Sequence, residues 1–355
     1  MRNRNADIFR AIALLLVVTY HSWVLTGSNE IFIYPVRLLV ALGGEIGVTS
    51  FFILSGFGIY YSLNKTDNIS FSSFMKKRFI RIAPEYYIFL LILLLFSTDV
   101  SFISFDGLDD IILHALFIHN LSPYTAGTIN GVLWTMSLTV QFYLLAIPLY
   151  YVIKKHPYLF SIFSILFTIL FKFFCFHYLM KVYYVDQYFW YSRNLFPSIL
   201  DNFVLGMFVA NRLIDGKKRE KNNLIGIIGV IFFVISGYLI SNYSWTNGIH
   251  QDNLSGYIYH SLIAICISGV LYFISDIKIN YEAFIIKILL KISDFEYGIY
   301  IVHLFLMQNL LNGSALFINI KNFSVLLCML MLIVLSIIIG TLYSKAVSLI
   351  KRYYI

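Results

Sequence analysis

The sequence predicts an all-α, polytopic membrane protein: a bundle of about ten transmembrane helices, both termini cytoplasmic, forming one domain over 1–355. Three observations carry this. Of the 355 residues, 59% are hydrophobic and 12% charged, about half the ~25% charge of a soluble domain. Apolar runs long enough to cross a hydrocarbon core of ~30 Å recur along the whole chain. The cations between those runs fall preferentially on alternate connections.

Taken in order, the spans lie near 6–26, 40–63, 84–98, 131–153, 158–176, 195–213, 224–242, 257–275, 294–312 and 324–344. An even number returns the chain to its starting side. The connections assigned to that side hold 20 of the 26 lysines and arginines; the other six are Arg10, Arg37, Lys172, Lys181, Arg193 and Lys321. Such a bias marks the cytoplasmic side. The net charge of +8 therefore orients the protein and implies no nucleic-acid partner. No cleavable signal is evident, because the first run is too long and lacks a small-residue cleavage site. Cys175, Cys266 and Cys328 lie inside apolar runs, so neither a disulfide framework nor a metal-ligand pattern is expected.

The first span, IFRAIALLLVVTYHSWVL, sets Arg10 and His21 eleven residues apart. Eleven helical steps return to within about 20° of the starting direction and rise about 16 Å. A cation and a titratable imidazole thus share one face, which argues for a polar cavity because ionisable groups are costly in hydrocarbon. A satisfied polar pair joining helices is the plainer alternative. At that separation Arg10 does not touch His21; it meets the far end of a substrate or pairs with Asp7 one turn earlier.

In the second span Ser55, Gly56 and Gly58 favour close helix packing. The connection before the third span reads KKRFIRIAP, with Pro84 expected in the first turn of the helix that follows. Arg78 and Arg81, three apart, present forked donors suited to phosphate oxygens, and attraction to anionic headgroups explains the same charges. The connection 99–130 holds DDIILHALFIHN, an expected short interfacial helix. Its Asp109, Asp110, His114 and His119 match no familiar metal spacing, and no metal is assigned. In the fourth span Trp134, Ser137, Leu138 and Gln141 form one stripe. Inter-helix hydrogen bonding explains its hydroxyl and amide nearly as well as substrate contact. The ninth span carries His303 with Tyr300 one turn before it; His177 and His260 read as peripheral.

In order, these segments resemble the acyltransferase-3 family of integral-membrane O-acyltransferases. The resemblance rests on Arg10-x10-His21, GVTSFFILSGF, KKRFIRIAP, WTMSLTVQFYLLAIP, RNLFPSILDNFVLGMFVA and YGIYIVHLFL, and covers about 6–310. It implies transfer of an acyl group, usually acetyl, from cytoplasmic acyl-coenzyme A, a co-substrate rather than a bound cofactor, to a hydroxyl of a cell-surface polysaccharide or lipid-linked glycan. It implies a multi-pass protein of a bacterial inner or plasma membrane, in contact with membrane lipid. Carried over by position, His21 is catalytic with Arg10 as its partner, and Arg78 and Arg81 hold the acyl-coenzyme A phosphates. Trp134, Ser137, Gln141, Tyr300 and His303 line the substrate cavity. Two positions depart from the family pattern: Thr139 stands where many members have Glu, and Thr49 where many have Asp. A glycan exporter or flippase, a glycan polymerase and an inactive acyltransferase-like protein are the alternatives. A polymerase fits least, because the longest outer connection has only about 30 residues.

Overall fold

The computed structural model describes residues 3–27, 34–96, 105–179, 190–215, 254–275 and 277–354. Among them there is no strand. The helices are α1 (Arg4–Thr26), α2 (Tyr34–Asn64), α3 (Phe71–Phe96), α4 (Phe105–Ala115), α5 (Trp134–Lys155), α6 (Pro157–Phe174), α7 (Leu200–Ile214), α8 (Leu254–Ile274), α9 (Phe284–Asp294), α10 (Glu296–Gly313), α11 (Ala315–Phe323) and α12 (Val325–Tyr354). Seven of the described helices are long and apolar enough to cross a membrane, or eight if α10 and α11, bent by 88°, form one broken span. α7, at 15 residues, is too short to count. The span expected at 224–242 lies outside the described residues.

Local chemistry sets several boundaries. Asn3 caps α1 by accepting the Ala6 N–H at 3.1 Å, satisfying an otherwise unpaired donor. Gly27, at φ 68°, ends the helix in the left-handed conformation and returns its N–H to the Val24 carbonyl, as a Cβ-free residue does at low cost. α3 begins thirteen residues before Pro84, which lies inside it rather than in its first turn. The basic stretch is therefore helical: a helix can run on past the apolar core, and proline is tolerated within spans whose neighbours satisfy the freed carbonyl. The segment expected as an interfacial helix is α4, followed by a 3-10 turn at His119–Leu121.

The core is built around α2, which packs on α1 and α7. Lipid provides no hydrophobic drive between helices, so small residues that bring backbones together carry much of the association. Gly56 rests on the Phe203 carbonyl and Gly206 on that of Ile53, so a Cβ at either would stand on backbone oxygen. Gly58, by contrast, faces open space. Phe142 and Phe203 stack nearby with ring centroids 4.2 Å apart. Gly206→Ala is expected to cost about 1–3 kcal/mol or more, the range for overpacking, because neither backbone can retreat. The thermal midpoint of purified protein should fall sharply, whereas Gly58→Ala should leave it unchanged.

Candidate active site

A cavity of about 340 Å³ opens at the basic end of the bundle, between α1, α2, α3, α5, α10 and α12. Its charged lining is Arg10, Arg78, Arg81 and Lys351 against Glu85, Asp294 and Glu296. Most of these cations are matched. Arg10 meets Asp7 and Glu296, each at 3.0 Å, so of the two roles open to it the pairing with Asp7 is present. Lys351 lies 3.4 Å from Glu85 and donates to the Arg81 carbonyl. Arg81 is more than half exposed and only 3.9 Å from Glu296.

Arg78 differs from these. It is half-buried, its guanidinium lies 5.2 Å from the Phe74 ring centroid and 5.8 Å from that of Tyr143, and it has no carboxylate partner among the described residues. Stacking on aromatic faces fixes the plane of an arginine while leaving its forked donors free.

Phe51, Thr135 and Tyr300 form part of the cavity wall. The Thr135 hydroxyl and the Tyr300 phenol are 3.2 Å apart, and Phe51 meets the Tyr300 ring edge-on at 5.5 Å. Beyond Tyr300 lies the histidine pair. His303, buried, and His21, half-buried, approach to 3.0 Å between Nε2 and Nδ1. The backbone assigns their protons. His21 Nδ1 lies 3.1 Å from the Val17 carbonyl and His303 Nδ1 lies 2.5 Å from that of Tyr300. Carbonyl oxygens only accept, so both Nδ1 atoms carry hydrogen. The single His21 Nδ1–H is then shared between the Val17 carbonyl and His303 Nε2, and His21 keeps its lone pair on Nε2. The arrangement holds an imidazole in the tautomer that can take a proton.

Of the residues expected to line the cavity, Tyr300 does so, and His303 stands immediately behind it. Trp134 lies one layer away, 6.2 Å between ring centroids from Phe52. Ser137 and Gln141 face elsewhere. Ser137 is 3.0 Å from His119 Nδ1, and Gln141 donates to Asn120 at 2.9 Å. The α5 face on the cavity is instead Thr135, Thr139 and Tyr143, with the Thr139 hydroxyl donating to the Thr135 carbonyl at 2.8 Å. The reason is that the connection before α5 is itself polar and buried, and it takes up the hydroxyl and amide of the expected stripe. Burial, with His114 alongside, holds His119 down to about 3, so its ring is neutral where Nδ1 shares a hydrogen bond with the Ser137 hydroxyl. His114 and His119 stack at 3.7 Å with planes 5° apart; parallel rings do not converge on one ion.

A second polar cluster went unrecognised in the sequence. Glu45 on α2 pairs with Arg193 and lies 3.1 Å from His260 on α8. Buried Lys172 on α6 and buried Asp201 on α7 complete it, and Ser261 donates to Asp201. His260 is thus interior, not peripheral. Gly44 packs on the Tyr20 ring, which sets Glu45 level with His21, and the charge of Arg193 bears on His21 and Tyr300. The available signal was that Glu45, Lys172 and Asp201 fall inside apolar runs, where an ionisable group requires a partner.

The described residues thus form a multi-pass helical bundle with a charged cavity lined by Arg10, Arg78, Arg81 and Lys351 at one end and a histidine pair against Tyr300. A family model described as an acyltransferase domain, that of the acyltransferase-3 family, matches residues 3–343. The chain belongs to that family, and is a membrane acyltransferase by membership. Searches among curated proteins and among solved structures return no match.

Proposed function

We propose that this protein is an O-acyltransferase. It moves an acyl group, acetyl in the simplest case, from cytoplasmic acyl-coenzyme A to a hydroxyl of a cell-surface polysaccharide or lipid-linked glycan, in a bacterial inner or plasma membrane with both termini cytoplasmic. The observation that carries this reading is one cavity lined both by a phosphate-competent cation, Arg78, and by Tyr300, whose ring adjoins a histidine that can accept a proton. Arg78 has no carboxylate partner among the described residues, and Tyr300 lies against the His303–His21 pair, its centroid 5.6 Å from that of His303.

In this mechanism the donor's phosphates meet Arg78 and the exposed Arg81, and the pantetheine arm runs past Ser55, Gly58 and Thr139. The thioester reaches His21 once the Tyr300 side chain yields. His21 Nε2 takes the acceptor hydroxyl proton as that oxygen attacks the carbonyl carbon. The tetrahedral intermediate collapses with cleavage of the C–S bond, and the thiolate recovers the proton from His21. A positioned base contributes about 10²–10⁴-fold. A transient acyl-histidine on Nε2 uses the same geometry. Thr139 cannot supply a titrating proton; its hydroxyl is bonded to the helix backbone.

Purified protein given labelled acetyl-coenzyme A and a lipid-linked glycan fraction is expected to place label on glycan in base-labile ester linkage. Glycan movement across vesicles without labelling would favour an exporter or flippase. Donor binding with neither outcome would mark an inactive member of the family.

A further inference from the structure

On the outer surface of the basic end, α9 and α12 enclose a groove of about 380 Å³ whose floor is apolar: Ile288, Ile292 and Phe295 from one side, Val334, Ile337 and Ile338 from the other. Its rim carries one lysine from each helix, Lys291 and Lys345. Both are exposed, and among the described residues neither meets a carboxylate; Lys345 Nζ lies 5.5 Å from the Phe295 ring centroid. Lys287, on the same helix as Lys291, is instead satisfied by Glu282 at 2.7 Å. The first residues of α9, Phe284 and Ile285, are 80% and 67% exposed, as expected of a short amphipathic helix lying in a headgroup layer.

We propose that this groove is a specific site for one phospholipid with an anionic headgroup, its acyl chain along the isoleucine floor and its phosphate between Lys291 and Lys345. Three features favour this occupant over neutral annular lipid. The charge is uncompensated and supplied by two separate helices. It borders an apolar groove. The groove lies at the bundle end bearing Arg10, Arg78, Arg81 and Lys351, and basic pockets between spans on the cytoplasmic side are where acidic headgroups are held. The site also backs onto the donor cavity, which Ser293 and Ser344, neighbours of groove residues Ile292 and Lys345, help to line. The binding claim is independent of the catalytic reading.

The test uses the full-length protein in detergent, titrated with dioctanoyl phosphatidylglycerol or dioctanoyl phosphatidylcholine, with retained lipid counted by native mass spectrometry. One phosphatidylglycerol should be retained in preference to phosphatidylcholine. A cation near an anionic lipid is worth about 1 kcal/mol, roughly fivefold in affinity. Lys291→Gln with Lys345→Gln should therefore weaken phosphatidylglycerol binding by roughly twenty-five-fold and leave phosphatidylcholine unchanged. Lys287→Gln should have no effect. Ile337→Trp, which fills the floor and keeps both charges, should expel the lipid, and excess inorganic phosphate should not displace it. Equal retention of the two lipids by wild-type protein would overturn the proposal without recourse to any variant. Full retention of phosphatidylglycerol by the double glutamine variant would overturn it as well.

Discussion

His21→Ala should lower the turnover of acyl transfer by about 10²–10⁴-fold, the contribution of a well-placed general base, while the protein still inserts and binds donor. The structure makes the loss specific. His21 is half-buried at the far end of α1, and its ring makes a backbone contact, a contact with His303 and an edge contact with the Tyr20 ring, so truncation removes the base while leaving the helix backbone and both neighbouring rings in place. A role confined to packing predicts the opposite pattern: less protein recovered, with specific activity preserved per folded molecule. Steady-state kinetics on equal amounts of folded enzyme separate the two. His303→Ala should give a smaller loss, because the Val17 carbonyl alone still favours a hydrogen on His21 Nδ1.

Arg78→Ala should raise the apparent Michaelis constant for acetyl-coenzyme A roughly ten- to a hundredfold with little change in turnover, since a charge-assisted hydrogen bond is worth about 1.5–3 kcal/mol. Arg81→Ala should have a smaller effect, because its side chain is more exposed and already faces Glu296. Arg78→Lys keeps the charge and loses the planar fork stacked between Phe74 and Tyr143; a lysine variant with wild-type donor kinetics would show that bidentate recognition is not used.

The long apolar runs were legible because a membrane span must satisfy its backbone within itself, and α1, α2, α5, α8 and α12 fall where those runs do. α3 was not legible in full. Four cations in six residues read as a connection, although the helix carries them beyond the apolar stretch. The Arg10–His21 face could be read from one helical period. Its convergence with His303, 282 residues away, could not, because periodicity places a residue on a face and says nothing about which face meets it. The same limit explains the α5 stripe. Trp134, Ser137 and Gln141 do share a side, yet the polar connection holding His119 and Asn120 claims it, and the cavity receives the neighbouring face with Thr139. Lys172 and Arg193 stand outside the cation bias, and as a buried and a half-buried cation in or beside apolar runs they call for acidic neighbours, found in Glu45 and Asp201.

The most direct test of the account is a sided transfer assay in proteoliposomes of known orientation, with labelled acetyl-coenzyme A on one side and a membrane-impermeant glycan acceptor on the other. Ester-linked label is expected on the acceptor only when the donor is on the side of Arg78 and Arg81, formed about 10²–10⁴-fold more slowly in His21→Ala and weakened at low donor concentration by Arg78→Ala. Labelling of acceptor supplied on the donor side alone, or labelling by His21→Ala at a rate near that of the wild type, would contradict this mechanism.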